Sequence, residues 1–230
     1  LTPLRPTAPI AADALLPGDP HRALQLAQEL LVEPKMSNHA HGLWGYGGRT
    51  AEGRELTIQS IGIGGPSSAM VLAELGELGV RRAIGVGTCR AIASDLGLGE
   101  LLVVGEAISA DGVSRELSGE AALRPDRELG AALVEAAGAE GLRSVSVAST
   151  DLIGELDGRP AKEWARRGAE ALEMAAAALF AAGPRCGVAV AALLAVSDAD
   201  GEAIGDEALQ EASMRMGRLA VAALSTSRLP

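Results

Sequence analysis

Aromatic residues are nearly absent. Trp44, Tyr46, Trp164 and Phe180 are the only four in 230 residues, so the core must be built from Ala, Val, Leu and Ile, and a ligand pocket has few rings for stacking. Cysteine is as scarce. Cys89 and Cys186 cannot make a dense disulfide framework, no Cys/His spacing suggests a zinc site, and a reducing compartment is the plain expectation. Basic residues are outnumbered, 20 against 30 acidic, for a formal net charge of -10. That balance disfavours nucleic acid and anionic membrane surfaces as partners, whereas a small anion needs only a local positive site. No apolar run approaches the length of a membrane span. The first residues carry prolines at 3, 6 and 9 in place of the continuous apolar stretch of a signal peptide. A cytoplasmic chain, folded over 1–230 as a single domain, is expected.

Hydrophobic residues make up 48% of the chain, enough for a sizeable core, and they fall into alternating patterns. "DALLPGDP" reads as a short strand ended by a turn, and residues 20–31 repeat apolar positions at helical spacing. "RELTIQSIGIGG" reads as a strand, "GPSSAMVLAELGELG" as a helix that Gly65 can cap, and "RRAIGVGT" as the next strand turning at Thr88 and Cys89. "GELLVVGEAI", "LRSVSVAST", "AEALEM" and "CGVAVAALLAVSD" are further strands. "PDRELGAALVEAAGAEG", "AAAALFAAG" and "GDEALQEASMRMGRLAVAAL" are helices, the last with Leu209, Ala212, Met216, Leu219 and Ala223 on one face. The fold class is therefore α/β, a three-layer α/β/α arrangement with a mixed, mostly parallel twisted sheet covered by helices on both faces. Ligands of such sheets sit at the carboxyl ends of the strands.

Several site types are weakly signalled. Gly62-Ile63-Gly64-Gly65 opens a helix, but Ser67 stands where a dinucleotide fingerprint needs its third glycine. No G-x-S-x-G nucleophile elbow is present. His39 and His41 are two apart and lack an evident third partner for a metal, so none is expected.

Read together, "LLPGDPHRA", the run from "GLWGYGGRT" to "GVGTCRAI", "ALEMAAAALF" and "LLAVSD" resemble the nucleoside phosphorylase family, which groups purine nucleoside and uridine phosphorylases with hydrolases of the same fold. The resemblance spans nearly the whole chain in order. It implies phosphate-dependent cleavage of the N-glycosidic bond of a purine-type nucleoside, with inorganic phosphate as co-substrate, no cofactor, and a dimer-based homo-oligomer, usually a hexamer. Carried over residue by residue, Gly18, Arg22 and Thr88 would hold phosphate. Glu173 and Met174 would lie along the ribose, with Cys89, Ile153 and Ser197 around ribose and base. Asp198 would be the general acid, which needs burial or a partner to hold a proton at neutral pH.

The chain departs from the family pattern at four positions. Gly85 stands where an arginine to phosphate is usual, Arg90 where a glycine is usual, His41 where a neighbouring subunit lends an arginine, and Ala175 where a ribose carboxylate follows Glu-Met. Arg90 reads as a displaced phosphate ligand, as a filler of the base or ribose pocket, or as a salt-bridge residue. Two other functions stay open: a nucleoside hydrolase of the same fold, and a binding or structural homologue whose phosphate and ribose contacts are lost.

Overall fold

The computed structural model describes residues 2–152 and 160–227. The elements follow the apolar runs. β1 (Asp13–Pro17) leads to α1 (Pro20–Leu30), and an antiparallel pair, β2 (Val32–Asn38) and β3 (Gly45–Arg49), leads to β4 (Glu55–Gln59). α2 (Gly64–Glu77), β5 (Arg82–Ala91), β6 (Leu101–Ala110), α3 (Gly112–Ser118), β7 (Ala122–Leu123), α4 (Arg127–Gly138) and β8 (Arg143–Thr150) follow. The rest is α5 (Ala161–Arg166), β9 (Ala171–Glu173), α6 (Ala176–Cys186), β10 (Ala189–Ala199), β11 (Glu202–Ala203) and α7 (Asp206–Thr226).

All described strands join one sheet. β4, β1, β5 and β10 lie side by side and parallel. β10 then pairs antiparallel with β6, β6 parallel with β8, β8 parallel with β9, and β9 antiparallel with β5. These pairings return to β5, so this part of the sheet closes into a small barrel, which hydrophobic patterning alone does not reveal. Register shifts at Val104/Glu106 and Val196/Asp198 accompany the closure, as bulges that bend a strand and let it change neighbours. One apolar cluster packs α2 and α6 on the sheet through Val71, Leu75, Leu179 and Phe180. A second packs α1, α4 and α7 on the other face through Leu26, Leu133, Met216 and Leu219. That is the expected layering.

Two local expectations are corrected. β5 does not turn at Thr88 but runs on to Ala91, because β10 pairs with it as far as Arg90 and β9 takes up Arg90 and Ala91. Helix α2 is capped at Ile63, with Gly64 as its first residue. Gly64 has φ 80° and Gly62 φ 71°, a left-handed backbone that glycine adopts at little cost. No described helix is long and apolar enough to cross a membrane.

Candidate active site

A cleft of about 1060 Å³ opens at the carboxyl ends of β1, β4, β5, β9 and β10. Ten of the residues singled out in the sequence line it: Gly18, Arg22, His41, Thr88 and Cys89, with Arg90, Glu173, Met174, Ser197 and Asp198. Ile153 lies outside the described residues. Gly85 and Ala175, two of the departures, also line it. A Cβ on Gly85 would come within 3.3 Å of Leu179 Cδ1, so the strand there is packed closely under α6.

The first turn is fixed by short-range bonds. Asp19 Oδ1 accepts from the His21 amide at 2.9 Å and Pro20 occupies the first helical turn, so α1 starts immediately after β1. Ser60 Oγ donates to the Gly18 carbonyl at 2.8 Å, and the Ile61 amide to the Pro17 carbonyl at 2.9 Å. A Cβ on Gly18 would stand 3.1 Å from the Gly62 carbonyl. On this turn sits Arg22, only 8% exposed, with no hydrogen bond to the protein and no carboxylate within 4 Å among the described residues. Burial pushes its guanidinium below its ordinary value, and the Asp19 charge opposes that only in part. His41, in the left-handed region with φ 55°, is exposed at the rim.

Glu173 takes an unexpected role. It is buried, and its carboxylate accepts from Ser149 Oγ and from the amides of Ala175, at 2.6 Å, and Ala176, at 2.9 Å. It therefore caps the amino end of α6, where backbone N–H groups favour an anion, and no arginine pairs with it among the described residues. Burial pushes its carboxyl up, the three hydrogen bonds pull it back less, and the Asp111 carboxylate adds to the upward push. The folded protein thus holds this proton to a higher pH than the unfolded chain does. The stability it contributes is complete below the ordinary value of 4.5 and is lost as pH rises from there through the raised folded value. Glu173→Gln should remove that slope. Urea midpoints of wild type and variant, measured at about pH 5 and about pH 8, should diverge in the variant's favour at the higher pH; parallel profiles would refute the assignment.

The Cys89 thiol is pushed up to about 12, by burial first and then by the charges of Glu173 and Glu100. It is a neutral S–H facing the Ala195 carbonyl at 3.7 Å, not a nucleophile. Ser197 Oγ donates to the Cys89 carbonyl at 3.2 Å. Asp198 pairs with Arg90: Nε lies 3.2 Å from Oδ1, and Nη2 donates to Oδ2 at 3.3 Å. Of the readings open for Arg90, the salt bridge is the one present, and its partner is the residue read as the general acid. Tyr46 is buried in the second apolar cluster, and the partly buried Trp44 packs against it. No group of three or more metal-binding side chains occurs among the described residues.

A glycine-rich cleft lies across the carboxyl ends of a parallel sheet, where α/β proteins carry their ligands, and the buried Arg22, unpaired among the described residues, lines it. The chain belongs to the phosphorylase superfamily, whose family model matches residues 13–226. It is similar to proteins named purine nucleoside phosphorylase DeoD-type. The one from Clostridium novyi (strain NT) is 32% identical over 194 residues, covering 82% of this chain and 83% of that relative. The one from Caldanaerobacter subterraneus subsp. tengcongensis is 29% identical over 219 residues, covering 92% and 94%.

Proposed function

We propose that this chain is a cytoplasmic nucleoside phosphorylase that cleaves the N-glycosidic bond of purine-type nucleosides with inorganic phosphate, needs no cofactor, and acts as one domain in a dimer-based homo-oligomer. The observation that carries the reading is Arg22. A guanidinium that is largely buried, faces the cleft and has no carboxylate within 4 Å among the described residues is a site that an anion would stabilise. Gly18, which leaves room for a ligand near the backbone, and the Thr88 hydroxyl stand with it on the cleft wall, and exposed His41 at the rim is the residue that, in a dimer, would serve a neighbouring subunit's site.

In this reading a phosphate oxygen forms a bond to C1′ of the ribose while the C1′–N bond breaks. The electron pair stays on the base, which takes up one proton as it leaves, from water at the partly exposed Asp198–Arg90 pair. Arg22 and Thr88 hold the phosphate. Met174 and the wall around Ala175 lie along the sugar, and Asp198 with Arg90 stands at the base. Relatives named as purine nucleoside phosphorylases support the substrate class.

The test is base release from inosine, adenosine and uridine, with and without phosphate. Phosphate-dependent release from at least one purine nucleoside is expected. Uridine should be a poor substrate, because no glutamine–arginine pair stands in the described part of the site to fix a uracil edge, and sites lacking such donors and acceptors gain little from it. Base release that proceeds equally without phosphate would make the protein a hydrolase instead. Uridine turnover equal to that of inosine would overturn the purine assignment.

A further inference from the structure

Arg90 and Asp198 meet because of one extra residue. β10 pairs Val196 with Cys89 and then Asp198 with Arg90, so Ser197 is a bulge that brings the carboxylate opposite the guanidinium. Arg90 is held on its other side by β9, where it pairs with Leu172. Arg22 follows β1, Asp198 closes β10, and β5 lies between them. Two strand spacings, roughly 10 Å, separate the anion end of the cleft from this pair, about the reach of a nucleoside.

The pair occupies one edge of the guanidinium. Nη2 donates to Asp198 Oδ2; Nε lies 3.2 Å from Oδ1 but makes no hydrogen bond and is shut off from solvent. Arg90 is nevertheless 39% exposed on its side chain, and its Nη1, which is not shut off from solvent, has no protein partner among the described residues. Arginine has five N–H donors and no acceptor, so Asp198, through the one hydrogen bond from Nη2 and the close charge, is the acceptor that orients the fork. A fork fixed on one edge presents two parallel N–H groups on the other. Two such donors match the neighbouring N7 and O6 acceptors of a 6-oxopurine, the pairing by which arginine reads guanine. A 6-aminopurine puts an N–H donor in place of O6, facing the fork with the wrong sign. No described Trp, Tyr or Phe lines the cleft, so contacts to the edge of the base carry more of its recognition than stacking does.

We propose that Arg90, oriented by Asp198, is the specificity-determining residue of this site and selects 6-oxopurine over 6-aminopurine nucleosides. The proposal rests on the phosphorolysis reading above. Arg90 also faces the oxygen onto which the leaving base delocalises its electron pair. Asp198 is thereby the positioning residue of the pair.

The experiment compares phosphorolysis of inosine and adenosine by wild type, Arg90→Ala and Arg90→Lys, together with calorimetric binding of hypoxanthine and adenine to each. Lysine keeps the charge and the stem without the fork, and serves if the alanine variant fails to fold. Wild type should favour inosine in kcat/KM by about 10- to 100-fold, the discrimination typical of a bidentate arginine. Both variants should bring the two substrates to near parity, with hypoxanthine affinity falling and adenine affinity holding. Adenosine cleaved as well as inosine by wild type, or a preference that survives in the variants, overturns the proposal. Should no nucleoside be cleaved, the phosphorolysis reading fails on its own. The base-binding arm then decides: a hypoxanthine preference lost in the variants sustains the proposal, and equal binding of the two bases or binding of neither ends it.

Discussion

Arg22→Met lowers kcat/KM for phosphate by about 100-fold or more, and leaves the protein as stable as before or more so. The two halves of this expectation have one cause. Arg22 is buried on the first turn with no carboxylate within 4 Å among the described residues, and the more distant Asp19 charge offsets its desolvation only in part until an anion binds. Each charge-assisted bond to that anion is worth about 1.5–3 kcal/mol, and losing two corresponds to about 100-fold or more in binding or rate. Methionine fills the space of the aliphatic stem, which separates loss of charge from loss of packing. Initial rates over a range of phosphate concentrations, beside thermal unfolding of both proteins without ligand, measure the two halves. A variant that loses several degrees of stability and keeps its phosphate dependence would make Arg22 a structural residue and remove the main support for a phosphate site.

Most of what places this cleft was legible in the sequence, because it follows from patterns internal to single segments. The strands of the parallel region announce themselves as apolar runs, and Asp19-Pro20 marks the start of α1. What was not legible depends on partners far away in the chain. β5 was expected to turn after two glycines and a threonine, and it continues because β10 and β9, both far along the chain, satisfy its backbone. β2, with the sequence VEPKMSN, contains a proline and charges and shows no alternation; it is a strand only because β3 offers it a ladder. The site shows the same division. Arg22 and Gly18 were found because they share one turn. The capping role of Glu173 depends on Ser149 from a different strand, and the Arg90–Asp198 pair depends on a bulge whose register no local pattern encodes. An arginine at a position where the family resemblance implies glycine was the one available signal for that pair.

Asp13→Ala should destabilise the protein by about 3–5 kcal/mol, the usual cost of stranding one member of a buried ion pair. Asp13 and Arg82 open β1 and β5, and they are Cα partners in the ladder between those strands. Arg82 is 2% exposed. Its Nε and Nη2 donate to the two Asp13 oxygens at 2.8 and 2.7 Å, a fork-to-carboxylate geometry. Its Nη1 donates to the Ser227 carbonyl at 2.6 Å and to Ser227 Oγ at 2.8 Å, which ties the end of α7 to the sheet. Arg54 adds a third contact to Asp13, at 3.3 Å. Removing the carboxylate leaves Arg82 charged and buried against one carbonyl and one hydroxyl. Arg82→Met should cost less, since the stem is replaced and Arg54 still reaches Asp13. This asymmetry separates a charge effect from simple loss of contacts, which would make the larger side chain the costlier one to change. The pair sits at the amino ends of β1 and β5, and the cleft at their carboxyl ends, so folded Asp13→Ala at low temperature should keep the catalytic parameters of the wild type. Urea unfolding of both variants reads the stability. An Asp13→Ala loss of less than about 1 kcal/mol, the scale of an exposed pair, would show that water reaches this end of the sheet and that the ion pair does not hold α7 to it.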